Sequence, residues 1–517
     1  MSRALIHLGA VPMGCLVTAG VLVEIFTMDK RALAGLGSIP GVDSAAVQAV
    51  VTGLLLADGQ PIFLDEAMRP VEPVSSWFRS LALGGLDRKS MKAYAYSIRR
   101  LLMFLGQRGA DVLSATETDL LEFRYWRTQA QPVPVGQATW ERESAAINGL
   151  YEWLVERRLV KGRPWRARRS SGGRDSYRGG VRQDMRIRHL SLEQYLFLRD
   201  VGFGGLAPDA RLDSGFRGRS AHRNRAATEL ALLTGTRLQE WSTVLLPELG
   251  IEPGVGVIRR PGEPLEFTLR RCAKYGIPRT VYVPSDALAM VDRYMLLERA
   301  ETVRAAQPSL KRRRDDLFVI GRTDDGGGKV RGVLDGSPVT RSVADLSPTL
   351  RRITVLDTGN GLEPLALFVG AGGRMLLPSS WDKARWAAWR RLRAYAGHER
   401  APLLPAMPWL YHDLRHTYAL RLLAYLTQVA ADQKAGGAGL ATLVDHVAYN
   451  PLLTVQRRLG HRSPASTYRY VQYLKDPQGE VEAAFQAWSA DTGASYAQIG
   501  CAALTGPPRG ETVAAQG

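Results

Sequence analysis

Residues 450–474 read NPLLTVQRRLGHRSPASTYRYVQYL, and this stretch says most about how the chain folds. Pro451 suits the first turn of a helix, Leu452, Val455 and Leu459 recur at helical spacing, and Gly460 suits the position just past its end. Ser463 and Pro464 then offer an N-cap and a first-turn proline for a second helix, which carries Tyr468, Tyr470 and Tyr473. On such a helix Tyr468 and Tyr470 lie about 200° apart, so at most one of them faces a given site. Tyr470 and Tyr473 share a face, and helical geometry does not choose between them.

Two earlier stretches carry chemistry of a matching kind. In LLTGTRLQEW, residues 232–241, one helix ends at Thr234–Gly235 and another begins near Thr236. That puts Arg237 in a first turn, where free N–H groups and the helix dipole favour an anion. An arginine there holds two phosphate oxygens at once. In YHDLRHTYALRLL, residues 411–423, His412 and Arg415 share a helix face, pairing a proton carrier with a fixed positive charge. The same stretch supports a rival. His412 and His416 are four apart with Asp413 between, which mimics the H-E-x-x-H zinc motif. That motif takes Glu rather than Asp and needs a third ligand, and Arg415 sits badly beside a metal cation.

Working outward, the 517 residues exceed one ordinary core, so two or three domains are expected. Lys and Arg number 68 against 50 Asp and Glu, a net charge of +18, which favours a polyanionic partner and nucleic acid first. The three cysteines are scattered, which excludes a disulfide framework and favours a reducing cytoplasm. Residues 4–26 are apolar behind Arg3, and read either as a leader or anchor or as sequence upstream of a true start at Met28.

The chain divides by pattern. Residues 1–70 form an N-terminal extension of unknown role. Residues 74–160 form a helical unit: Met91, Tyr94, Ile98, Leu101, Leu102 and Leu105 mark one helix, Thr116 and Asp119 a capping box opening the next, and Ile147, Leu150, Tyr151 and Leu154 a third. Residues 161–188 hold ten basic and two acidic residues among Ser, Gly and Pro, a basic linker suited to a phosphate backbone. Residues 190–475 mix helices at 223–234 and 285–299 with two strands, Glu266–Ala273 and Arg279–Val283, around a turn at Gly276 and Pro278. Part of 303–375 reads as an insertion loop. Residues 476–517 hold a helix at 480–489 and a small, polar, disordered tail.

LLTGTRLQE, HDLRHTYA and LGHRSPASTYRY, in this order, resemble the three signature boxes of the tyrosine recombinase, or phage integrase, family, and residues 74–160 resemble its core-binding domain. The resemblance implies a mainly α fold with a small antiparallel β-sheet. A helical core-binding domain and a mixed α/β catalytic domain would form a C-shaped clamp around DNA. Box by box, it makes Arg237, His412, Arg415 and His461 catalytic, Tyr470 the nucleophile, and Lys274 in CAKYGIPRTVYVP the hairpin lysine. Glu240 and His416 are supporting residues, and Arg166, Arg168 and Arg169 in the linker are DNA contacts. It implies cleavage through a 3′-phosphotyrosyl link without metal, nucleotide or other cofactor, integrating or excising a mobile element. The partners would be double-stranded DNA, a homotetramer on two sites, and accessory DNA-bending or directionality proteins. The setting would be the bacterial cytoplasm and its nucleoid, with no membrane. Two departures stand out: the gap from Gln428 to Tyr449 and the stretch 303–375 are both longer than the family pattern. The alternatives are a zinc metallohydrolase using His412 and His416, and a non-catalytic DNA-binding relative.

Overall fold

Two units, Met1–Asp184 and Met185–Gly517, divide the chain in the computed structural model. The structure describes residues 23–28, 43–53, 55–165, 187–260, 262–323, 328–334, 336–435 and 450–471. Residues 1–22, the linker arginines Arg166, Arg168 and Arg169, Tyr473 and residues 480–489 lie outside them.

The first unit is helical. After β1 (Glu24–Thr27), α1 (Ser44–Gly53) and β2 (Pro61–Leu64) come α2 (Val74–Leu83), α3 (Arg88–Gly106), α4 (Glu117–Tyr125) and α5 (Gln137–Glu156). Asp87 caps α3 by accepting from the Lys89 and Ser90 amides, and Thr116 with Asp119 forms the capping box of α4 that the spacing predicts. The apolar stripes close on one another: Ile98, Leu101, Leu105, Leu120, Phe123, Ile147, Leu150 and Leu154 are fully buried. Each such side chain contributes roughly 1.5–3 kcal/mol of apolar burial. β1 and β2 pair antiparallel, and Val23 and Phe63 join this core, so the packed unit draws on chain before residue 70. Glu143, fully buried, is held by the Arg127 Nε and Nη2 at 2.8 and 2.7 Å, which removes the cost of an unpaired buried charge.

The second unit is built around α6 (Ala221–Thr234), buried along most of its length. Next come the one-turn α7 (Leu238–Trp241), the hairpin of β3 (Leu265–Leu269) and β4 (Arg279–Val283), α8 (Ser285–Tyr294) and α9 (Ala300–Arg312). The hairpin pairs Leu265 with Val283 and Leu269 with Arg279, so Phe267, Val281 and their neighbours at two-residue spacing face the core. Trp241 lies edge-on against Trp381 (4.8 Å between ring centroids) and Tyr411 (5.2 Å). That aromatic cluster pins the end of α7 to α10 (Pro378–Ala394) and to the first residue of α11 (Tyr411–Ala435). Two of the three sequence boxes thus share one rigid core.

Residues 303–375 depart from the expected insertion loop. Beyond α9, strands β5 (Phe318–Thr323), β6 (Lys329–Leu334), β7 (Ser337–Ser342), β8 (Thr354–Asp357) and β9 (Leu362–Pro364) form a five-stranded sheet in the order β9-β8-β5-β6-β7. β8 runs parallel to β5 and the other neighbours are antiparallel. Buried Phe318, Ile320, Val330, Leu365 and Ala366 provide a local apolar core. Arg351, fully buried, is held there by Glu248 and by the carbonyls of Thr243, Val343 and Leu346.

At the far end lie α12 (Pro451–Leu459) and α13 (Ala465–Tyr468). Asn450 caps α12 and Gly460 ends it in the left-handed conformation, as its sequence predicts. α13 is one turn, shorter than predicted, so Tyr470 lies in the turn after the helix. The cause is local: the Tyr470 amide donates to the Thr467 carbonyl at 3.0 Å, a tight three-residue closure. Among the described residues no helix is long and apolar enough to cross a membrane.

Candidate active site

The three boxes and the hairpin meet in the second unit. Arg237 is the N-cap of α7 with extended backbone, one position before the first turn in which the sequence places it. Glu240 reaches back to accept from the Arg237 amide at 2.7 Å and from its guanidinium at 3.1 Å. The same carboxylate accepts from both terminal nitrogens of Arg279 on β4, one of them at 3.0 Å. Glu240 is 1% exposed. Burial alone would raise its pKa, but the two guanidiniums outweigh it and hold it at about 2.

Arg415 is also buried, and it joins the boxes directly. Its guanidinium donates to the Gly235 carbonyl (2.6 Å) at the end of α6 and to the Leu459 carbonyl (2.5 Å) at the end of α12. Both acceptors belong to helices that end in glycine with positive φ, Gly235 at +60° and Gly460 at +62°. An added Cβ at Gly235 would lie 2.3 Å from the Tyr418 ring, so this helix end requires glycine for space as well as backbone. Two of five guanidinium N–H groups are thus used, leaving others for an anion. Burial first, then the charge of Arg237, lowers the Arg415 pKa, yet a guanidinium remains charged at neutral pH.

Tyr470 is 1% exposed while Tyr468 is 57% exposed. Its hydroxyl lies 2.9 Å from His416 Nδ1, and its ring stacks on His461 with centroids 6.3 Å apart. Ile187, Ala419, Leu423, Val455 and Leu459 pack around it. Burial raises its pKa, against the pull of Arg415, Arg469 and Arg237. His461 Nδ1 meets Thr467 Oγ1 at 2.9 Å, which fixes the ring. The His412 and His416 ring centroids are 4.6 Å apart. Burial first, then Arg415 and Arg237, holds His461 at about 3. Burial, His412 and Arg415 hold His416 at about 3. His412 reaches the surface on one side, and the protein packed around it, then Arg415, Arg237 and Lys274, lowers it to about 4. All three are therefore neutral near pH 7.

Lys274 is exposed in the one-turn segment Lys274–Gly276 between β3 and β4, and its charge acts on His412. So Arg237, Glu240, Lys274, His412, Arg415, His416, His461 and Tyr470 form one cluster, whereas Arg166, Arg168 and Arg169 fall outside the described residues. Two neighbours are absent from the sequence reading. Arg279 had a signal, since it shares the inward strand face of Val281 and Val283. Arg469, whose charge acts on His412, His416 and Tyr470, had only its place beside the tyrosine. Among the described residues no three His, Cys, Asp or Glu side chains gather as metal ligands. The cluster therefore sets a buried, hydrogen-bonded phenol and neutral imidazoles in a positive field, which suits nucleophilic attack on an anionic centre.

No curated protein matches the chain. Among solved structures the chain is similar to the XerH site-specific recombinase bound to difH substrate in a pre-cleavage complex. That likeness has 14% identity, a TM-score of 0.39, and covers 76% of this chain and 79% of that one. The post-cleavage XerH complex with palindromic difH gives 14% identity over 88% and 93% of the two chains, with a TM-score of 0.43. The Tn1549 transposon integrase in complex with transposon right end DNA gives 13%, 80%, 98% and 0.44 for the same measures. The family description that matches is that of the phage integrase N-terminal SAM-like domain, over residues 74–158. The helical unit of α2 to α5 is thus similar to the phage integrase N-terminal SAM-like domain.

Proposed function

We propose that the chain is a site-specific tyrosine recombinase that cuts and rejoins DNA strands through a covalent phosphotyrosine. One observation carries the reading: the Tyr470 hydroxyl is buried on a neutral His416 within the field of Arg415, Arg469 and Arg237. The Tyr470 oxygen attacks the scissile phosphorus, its proton passing to His416 or His412, and the P–O5′ bond breaks. The products are a 3′-phosphotyrosyl link and a 5′-hydroxyl, whose oxygen takes a proton from Lys274. Arg237 and Arg415 stabilise the negative oxygens of the five-coordinate phosphorus, and His461 donates a further hydrogen bond. Attack by a 5′-hydroxyl on the phosphotyrosine reverses the step, so the bond energy is retained and no nucleotide is consumed.

Integration or excision of a mobile element is the biological role that fits, on two sites held by a homotetramer in the bacterial nucleoid. Accessory DNA-bending or directionality proteins would set the direction. Residues 161–188 would strap the phosphate backbone.

The test is a pool of nicked duplexes with randomised centres, in which loss of a short 3′ fragment traps the covalent intermediate. Wild type should form a protein–DNA adduct in the presence of EDTA, with the nucleotide mapped to Tyr470. Tyr470→Phe should form none, and Tyr468→Phe should behave as wild type. An adduct that persists in Tyr470→Phe, or cleavage that needs added zinc, would overturn the reading.

A further inference from the structure

A groove of about 550 Å³ opens beside His461, between the start of β4 and the end of α12. Arg279, Arg457, Arg458 and Arg462 line it with His461, and no lining residue is an Asp or Glu. Arg279 is committed to Glu240, and Arg458 makes an exposed pair with Glu266 at 3.4 Å, which water screens. Arg457 and Arg462 are exposed, with no carboxylate partner among the described residues. Favourable contact with the helix dipole does not account for both. The end of α12 is already closed by the Gly460 amide on the Arg457 carbonyl and the His461 amide on the Gln456 carbonyl, and Arg462 lies beyond it.

We propose that this groove seats a phosphodiester of the cut strand next to the one cleaved, with Arg457 and Arg462 as its ligands. The inference rests on the strand-cutting reading above and adds a second, non-reacting phosphate site. The chemistry follows from the lining: concave, cationic, with no carboxylate on Arg457 or Arg462 among the described residues, and shared with His461, which faces the reacting phosphate in that reading. Phosphates along one strand are spaced by about 3.4 Å of helix rise, so an adjoining contact falls within one or two nucleotides of the cut. Gripping the neighbour fixes the scissile phosphate along the strand axis, which a two-arginine clamp on one phosphate leaves free.

The test uses the full chain and a duplex recovered from the randomised pool. Phosphates flanking the cut are replaced one at a time by neutral methylphosphonates, and binding is followed by fluorescence anisotropy across a salt series. In wild type, one replacement within two nucleotides of the cut should weaken binding about tenfold. The R457Q/R462Q variant should show that loss on unmodified DNA, with a log K against log salt slope shallower by about 0.9 per lost contact. Adding the methylphosphonate to the variant should cost less than about twofold more. An unchanged thermal midpoint would confirm that the variant folds, as expected for exposed positions. If wild type and variant respond equally to every replaced phosphate, the groove holds none and the inference fails while the recombinase reading stands. If wild type binds no duplex in the pool and forms no adduct, the recombinase reading fails and takes the inference with it.

Discussion

Tyr470 and His416 are joined by a 2.9 Å contact between hydroxyl and Nδ1 that ties the turn after α13 to the second turn of α11. Because His416 is held at about 3, its imidazole is uncharged near neutral pH, and in the tautomer with Nε2 protonated Nδ1 accepts the hydrogen bond of the phenol. His416→Ala leaves the buried hydroxyl without an acceptor, a cost of about 1–3 kcal/mol. With that proton acceptor gone the adduct should form at least about tenfold more slowly, since a positioned base contributes roughly 10²–10⁴ in rate. DNA affinity should change little. Rapid-quench sampling of the adduct checks the first statement and anisotropy the second; a wild-type rate would refute the pairing.

Acid should weaken the fold before it touches the carboxylate at its centre. The unfolded chain's histidines take up protons near pH 6.5, whereas in the fold His412 is held at about 4 and His416 and His461 at about 3. Below 6.5 the unfolded state binds more protons than the native one. Stability is therefore complete above about 6.5 and declines as the pH falls towards about 3. Glu240, held at about 2 in the fold against 4.5 when unfolded, adds to the loss only below about pH 4.5, so between pH 7.5 and 5 the histidines dominate. Urea unfolding should give a lower midpoint at pH 5 than at pH 7.5, and His461→Gln should reduce that difference. A flat profile between the two would contradict the neutral-imidazole cluster.

What could be read from the sequence was local. The capping box of Thr116 and Asp119, the Pro451 start and Gly460 end of α12, and the β3–β4 hairpin each depend on residues within a few positions of one another, and each is present. What could not be read was set at a distance. Arg279 and Glu240 are 39 residues apart, and neither stretch names the other. In the sheet of 318–364 the hairpin dipeptides Asp335–Gly336 and Asn360–Gly361 were legible, but the parallel pairing of β8 with β5 that joins the two hairpins has no local signal. Arg237 missed its predicted position by one residue, the usual uncertainty of a helix start. Tyr470 left the helix because a three-residue hydrogen bond closed the turn early.

Glycine at 460 is required twice over. Its φ is +62°, and an added Cβ would lie 2.9 Å from Arg279 Cδ. Gly109 has a similar φ of +70° but nothing within 4 Å of the added atom. Gly109→Ala should thus cost only the backbone penalty, about 1–2 kcal/mol. Gly460→Ala should cost more and also shift Arg279, lowering adduct yield. Equal losses in chemical denaturation would mean that the Arg279 side chain yields freely.

Arg279 and Arg237 share the Glu240 carboxylate, so on the proposed reading Arg279 would position Arg237. Both of its terminal nitrogens hold Glu240, and the remaining demand of that carboxylate is met by Arg237. Arg279→Ala would leave Glu240 buried with one partner, and breaking such a pair costs about 3–5 kcal/mol. The freed oxygens would draw more of the Arg237 guanidinium, taking donors from the phosphate. Catalysis should therefore fall further than DNA affinity, a split between kcat and KM that simple loss of folding does not produce. Arg279→Lys keeps the charge but not the two-pronged grip, so it should recover more stability than rate. Glu240→Gln added to Arg279→Ala removes the uncompensated charge. The double variant should be more stable than Arg279→Ala alone, giving a coupling energy well above the roughly 0.5 kcal/mol of independent sites. Strict additivity in the double-mutant cycle, or equal losses of kcat and affinity in Arg279→Ala, would show that Arg279 does not act through Glu240.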